Sequence, residues 1–187
     1  MSGGVVTIPN VISVVRLGLV PVFLWLLATD EPAAAGWLLG AIGATDWVDG
    51  FLARRLGQVS TVGKVLDPLA DRLAIAAALI GGLVWDVLPG WYAVAVLVRE
   101  VVVAAGALYG ARHGIRLDVR RLGKAATFLV YGALAAFFVG RGGDLEFFEV
   151  VAWVTGIPGL VLYYVVAVRY AADLRRALAT APGGGPR

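Results

Sequence analysis

Apolar residues along this chain gather into six long runs separated by short polar connections. The runs cover about Pro9–Ala28, Ala34–Leu56, Leu66–Val84, Trp91–Ala111, Leu122–Gly140 and Phe147–Tyr170. A helix that crosses a bilayer needs about 20 mostly apolar residues, and each run is close to that length. The pattern predicts an all-α integral membrane fold of six transmembrane helices. The first run has no basic leader and is interrupted by Arg16, so it is expected to be a retained span and not a cleaved signal. Residues 1–176 are expected to form one membrane domain, with 177–187 as a flexible tail rich in Gly and Pro from Ala181 to Pro186. There is no internal repeat.

Composition agrees with lipid as the solvent. Sixty per cent of residues are hydrophobic, charged residues are 16% and the mean hydropathy is +0.84; a soluble domain has about 25% charged residues. The absence of cysteine excludes disulfides, thiolate metal sites and cysteine nucleophiles. A single histidine, His113, cannot build a His-rich metal site, and its place suggests a loop. A pI of 9.5 could indicate nucleic acid, but basic membrane-flanking loops explain it and no nucleic-acid partner is expected.

The charges sort onto two sides. Arg54, Arg55 and Lys64, then Arg112, Arg116, Arg120, Arg121 and Lys124, then Arg175 and Arg176 fall on one. Asp30, Glu31, Asp86, Arg141, Asp144, Glu146 and Glu149 fall on the other. Lys and Arg accumulate in short cytoplasmic loops. The second–third and fourth–fifth connections and both termini are therefore expected in the cytoplasm, in a multi-pass protein of the plasma membrane. Trp91 and Tyr92, at a span edge, read as part of an interfacial aromatic belt.

Against this apolar background, four aspartates stand out. Asp46 and Asp49 are three apart and share one helix face, which Ala53 extends; Asp67 and Asp71 are four apart and share a face of the next helix. A short connection makes those helices antiparallel neighbours, so the pairs can converge. An aspartate at mid-membrane costs about 2.5–3.5 kcal/mol, so four would cost about 10–14 kcal/mol before their mutual repulsion. Arg54, Lys64 and Arg72 offset part of this. The remainder calls for cations, and carboxylates without His or Cys select Mg²⁺, Mn²⁺ or Ca²⁺. Two such ions form a clamp suited to phosphoryl chemistry. Gly50 and Ala53 leave room for a ligand, Gly63 allows close approach, and the planar fork of Arg54 suits phosphate. Taken singly, each feature has a structural explanation. Asp67 before Pro68 is a good helix N-cap, Asp49-Gly50 is a common turn dipeptide, and Asp71-Arg72 is a plausible solvated pair.

The run from Asp46 to Asp71 resembles the signature of the CDP-alcohol phosphatidyltransferases: D-x-x-D-G-x-x-A-R, eight residues, then G-x-x-x-D-x-x-x-D. Every fixed position is present, as Asp46, Asp49, Gly50, Ala53, Arg54, Gly63, Asp67 and Asp71. The resemblance covers most of the chain, since the family has six spans with the signature between the second and third. It implies that the four aspartates hold two divalent ions, Mg²⁺ or Mn²⁺, and that Gly50, Ala53, Arg54 and Gly63 line the cytidine diphosphate site. Asp71 would also be the general base. It would take the proton of an acceptor hydroxyl that attacks the phosphorus attached to diacylglycerol in CDP-diacylglycerol, with CMP leaving. The family is usually homodimeric.

For the acceptor, Ile8-Pro9-Asn10 with Ser13 and Arg16, then Asp67-Pro68 and Arg99-Glu100, are similar to the phosphatidylglycerophosphate synthases, which implies glycerol 3-phosphate. Arg16, Arg99, Arg112, Arg120 and Lys124 are candidate cations for it; an ion pair with a neighbouring carboxylate is the competing role of Arg99. The segment Gly123-Lys124-Ala125-Ala126-Thr127-Phe128 instead resembles the cardiolipin synthases of this fold, whose acceptor is phosphatidylglycerol. An ion-coupled transporter is the rival of a different class, because intramembrane carboxylates mark ion paths. The clustering of the acids toward one face and the lack of a repeat argue against it. A catalytically silent scaffold is disfavoured by the intact set of aspartates.

Overall fold

The computed structural model describes residues 8–56, 63–115 and 121–180, with side chains described except at 8–10, 46–56, 63–69, 121 and 180. These residues form six helices: α1 (Ile8–Ala28), α2 (Pro32–Leu56), α3 (Gly63–Val84), α4 (Gly90–Arg112), α5 (Arg121–Gly143) and α6 (Glu146–Thr180). Each coincides with one of the apolar runs, because a segment in lipid must satisfy its backbone groups internally and a helix does so. Among the described residues, α1, α4, α5 and α6 are long and apolar enough to cross a membrane. Helices α2 and α3 hold the charged motif, which lowers their apolarity.

Helix α6 corrects one expected boundary. It continues to Thr180, so residues 177–180 are helix and not tail; 181–187 lie outside the described residues. The extension begins Ala177-Leu178-Ala179, all strong helix formers. The turn before it is docked, since Tyr170 and Leu174 pack over Gly106 and Gly110 of α4.

The helices close into a ring. α1 packs on α2, α2 on α5, α5 on α6, α6 on α4, α4 on α3, and α3 back on α1. Among the described residues α1 packs on both α2 and α3; the direct antiparallel pairing expected of the α2 and α3 motif ends lies outside the described side chains. Val20 and Phe23 of α1, Leu39 and Ile42 of α2 and Ala74 and Ala77 of α3 line one small void between the three helices. Small residues set the closest approaches elsewhere. A Cβ on Gly36 would lie 2.7 Å from the Val139 backbone nitrogen, so α2 and α5 touch backbone to backbone. The core is filled by Phe23, Leu39, Leu79, Tyr92, Leu134, Phe137, Phe138 and their neighbours. Tyr92 corrects the aromatic-belt reading. Trp91 is exposed, but Tyr92 is buried and donates to the Gly156 carbonyl at 3.4 Å, because consecutive helical residues point about 100° apart.

Three short turns join the helices at one end, and each contains an aspartate at positive φ: Asp30 (61°), Asp86 (52°) and Asp144 (49°). The residue after each aspartate closes a bond to the carbonyl five residues earlier: Glu31 N–H to Leu26, Val87 N–H to Gly82 and Leu145 N–H to Gly140. This is the Schellman pattern, which satisfies helix-end carbonyls. An Arg141 guanidinium donates to the Asp86 carbonyl at 3.1 Å, tying two of the turns together.

Candidate active site

The opposite end carries the motif. Ser13 and Arg16 lie three apart on one face of α1, and both are buried, Arg16 to 1% exposure. The Arg16 guanidinium forms a charge-assisted hydrogen bond and ion pair with the Asp71 carboxylate of α3. A guanidinium stripped of water at this depth needs such a counter-charge. Asp71 itself remains 37% exposed, so the carboxylate keeps an open side.

Asp67 lies one turn before Asp71 on the α3 backbone, and Asp46 and Asp49 lie on the α2 backbone. The side chains of these three, and of Gly50, Ala53, Arg54 and Gly63, are outside the described residues. What the helices establish is the register: Asp46 with Asp49, and Asp67 with Asp71, each share a helical face. The donor set fits a hard divalent cation. Its four members are all carboxylates with no soft ligand among them, the donor type of Mg²⁺ or Mn²⁺, and the Asp71 side chain is 37% exposed.

The next residue of α3 enters a second cluster. Arg72 donates to Glu100 Oε2 of α4 at 3.3 Å. Glu100 Oε1 accepts from Arg99 at 2.8 Å and from the Tyr163 hydroxyl of α6. Arg99, 9% exposed, lies with its guanidinium carbon 3.5 Å over the Tyr163 ring and its Nε donating to the Tyr163 carbonyl at 3.4 Å. One carboxylate is thereby shared by two cations and a phenol, with cation–π packing beneath.

The candidate acceptor cations fare differently. Arg16 is committed to Asp71, and Arg99 takes the competing role of a partner for a neighbouring carboxylate. Arg112, in the last turn of α4, and Lys124, in the first turns of α5, are exposed. Among the described residues, no ion pair draws either toward Asp71 or Glu100. Arg120 lies outside the described residues. His113 ends α4, its ring packed on Tyr109 with centroids 4.4 Å apart. Tyr163 was not singled out from the sequence. The available signal was a tyrosine in mid-span, where a hydroxyl must find a partner.

Four similarities bear on this arrangement. The family model described as CDP-alcohol phosphatidyltransferase matches residues 6–169. The chain is 39% identical to the cardiolipin synthase (CMP-forming) of Streptomyces coelicolor, over 92% of this chain and 84% of that protein. It is 35% identical to the CDP-diacylglycerol–glycerol-3-phosphate 3-phosphatidyltransferase of Bacillus subtilis, over 71% of this chain and 76% of that one. A protein of the same name from Pseudomonas fluorescens is 42% identical over 52% of this chain and 53% of its own length.

Proposed function

The chain belongs to the CDP-alcohol phosphatidyltransferase family, and from that premise we propose that it transfers a phosphatidyl group from CDP-diacylglycerol to a glycerol-based acceptor and releases CMP. The carrying observation is the complete eight-position motif on the α2 and α3 backbones, ending at a half-exposed Asp71 held by the buried Arg16. It works as a multi-pass membrane protein in phospholipid synthesis.

Asp71 accepts the proton of the acceptor hydroxyl. The acceptor oxygen bonds to the phosphorus attached to diacylglycerol, and the anhydride bond to CMP breaks. Gly50, Ala53, Arg54 and Gly63 hold the cytidine diphosphate portion, with Arg54 on its phosphate oxygens. Arg16 fixes Asp71 on the inner side. Two divalent ions, Mg²⁺ or Mn²⁺, held by Asp46, Asp49, Asp67 and Asp71, supply positive charge against the phosphates when bound. Such catalysis is mostly positioning and charge stabilisation.

The topology proposed is six spans with both termini and the site in the cytoplasm, in a plasma-membrane homodimer whose membrane domain extends to the end of α6. At 35 residues, α6 is about 52 Å long, well beyond a hydrocarbon core of about 30 Å. Its end, with Arg169, Arg175 and Arg176, therefore projects on the basic side, where such residues favour the cytoplasm.

The acceptor proposed is glycerol 3-phosphate. Arg112 and Lys124 are exposed cations of the same end that could receive it, and Arg120 is a third candidate from the sequence. Phosphatidylglycerol is the second reading. It is favoured by the Gly123–Phe128 segment and by the similarity over 92% of the chain to a cardiolipin synthase.

The test is CMP release by purified protein in detergent with CDP-diacylglycerol and Mg²⁺, comparing the two acceptors. Release with glycerol 3-phosphate alone supports the first reading, and release with phosphatidylglycerol alone replaces it with the second. EDTA should abolish release and added Mg²⁺ or Mn²⁺ restore it; full turnover in EDTA would remove the metal from the reaction. No release with either acceptor would overturn the proposal.

A further inference from the structure

The Arg72–Glu100–Arg99–Tyr163 cluster is unused by the chemistry above, and its charge does not balance. Two guanidinium groups share one carboxylate, so it carries one excess positive charge among the described residues. The two cations are not equivalent. Arg99 is buried over Tyr163 and engages Glu100 and the Tyr163 carbonyl. Arg72 is 51% exposed, and Glu100 is its one ion-pair partner among the described residues. A guanidinium has five N–H donors in a planar fork, and Glu100 engages Arg72 through Nη1 at 3.3 Å. Glu100 is itself only 15% exposed and is fixed by Arg99 and the Tyr163 hydroxyl, so it orients Arg72 from a rigid base.

Positions 71 and 72 of α3 diverge by about 100° around the helix: Asp71 meets α1, whereas Arg72 meets α4. The residues proposed above for cytidine diphosphate belong to α2 and to the first turn of α3, and none belongs to α4. The α4 side of α3 is left for the second substrate, within one residue of the proposed base.

We propose that Arg72, oriented by Glu100, binds the phosphate group of the acceptor, and that Glu100 is a positioning residue for it. This rests on the transferase reading. The shared chemistry is a phosphate ester next to a glycerol hydroxyl. It is a monoester in glycerol 3-phosphate and a diester in phosphatidylglycerol.

The experiment is steady-state CMP release by wild type, Arg72→Gln, Arg72→Lys and Glu100→Gln, varying each substrate in turn and running both acceptors as separate arms. In the arm that wild type uses, Arg72→Gln should raise the acceptor KM about 10- to 100-fold, the range of a charge-assisted hydrogen bond, with no matching rise in KM for CDP-diacylglycerol. Arg72→Lys should recover part of that loss, because it keeps the charge and loses the fork. Glu100→Gln should raise the acceptor KM less than Arg72→Gln does. Arg72 is half exposed, so its variants test the proposal even if Glu100→Gln fails to fold. An unchanged acceptor KM in Arg72→Gln, an equal rise for both substrates, or a fall in kcat alone would each overturn the proposal and leave the transferase reading standing. A wild type inactive in both arms would overturn both.

Discussion

Aspartate does opposite work at the two ends of this bundle. At the turn end, Asp30, Asp86 and Asp144 occupy left-handed positions and let the chain reverse within a few residues. What matters there is backbone conformation: a short polar side chain tolerates positive φ better than most others do. At the motif end, Asp71 sits inside a regular helix and contributes nothing to its backbone. What matters there is the carboxylate charge, facing the buried Arg16 on one side and solvent on the other. The same residue type is thus a conformational device at one end and a charge device at the other, and amide substitution separates the two.

The largest effect should come from Asp71→Asn. The change preserves shape and removes both the proposed proton acceptor and a proposed metal ligand. Loss of a general base alone costs about 10²–10⁴-fold in turnover, so transfer should fall below detection while CDP-diacylglycerol still binds. The paired control is Asp86→Asn, which should leave turnover as in wild type, since Asn also adopts the left-handed conformation. Normal turnover by Asp71→Asn would dissolve the contrast between the ends.

Arg16 sharpens the comparison at an intermediate scale. Arg16→Met fills similar space and leaves Asp71 without its guanidinium partner. Breaking a fully buried pair costs about 3–5 kcal/mol; the loss here should be smaller, because Asp71 retains solvent on one side. The expected result is a lowered thermal midpoint in detergent together with reduced transfer. In the double variant Arg16→Met, Asp71→Asn, part of the stability should return, since no uncompensated charge remains. Equal midpoints for the single and double variants would show that Arg16 serves packing and not the carboxylate.

The two ends also differ in how far the sequence discloses them. The helices were legible because lipid demands long apolar runs, and the motif aspartates because their spacing repeats the helical period. The partner of Asp71 was not, because Arg16 lies 55 positions away and only the ring order brings α1 against α3. Nothing in the spacing indicated that α1 packs on both α2 and α3. Arg99 read equally as an acceptor ligand or an ion-pair partner; its pair with Glu100 over the Tyr163 ring depends on α6 packing against α4, which spacing does not show. The turn aspartates were visible only as charges on the acidic side. Their other signature, an aspartate just past the end of an apolar run, is local and available to anyone looking for helix stops.

The smallest effect tests that signature. At Asp86, φ is 52°, and the Val87 and Leu88 N–H groups both reach the Gly82 carbonyl at 2.9 Å. Asp86→Val should destabilise the protein by about 1–2 kcal/mol, because a β-branched residue fits the left-handed region poorly. Asp86→Gly relieves the Cβ crowding but adds freedom to the unfolded chain. The two terms nearly cancel, so its thermal midpoint should stay close to that of wild type or rise slightly. Neither variant should alter the KM of either substrate, because the turn lies at the far end from Asp71. The order Gly, Asp, then Val in thermal midpoint, with constant KM, is the mark of a backbone role. A charge role would instead rank Asp above Gly and Val alike, and would make the acidic turn end electrostatic like the motif end.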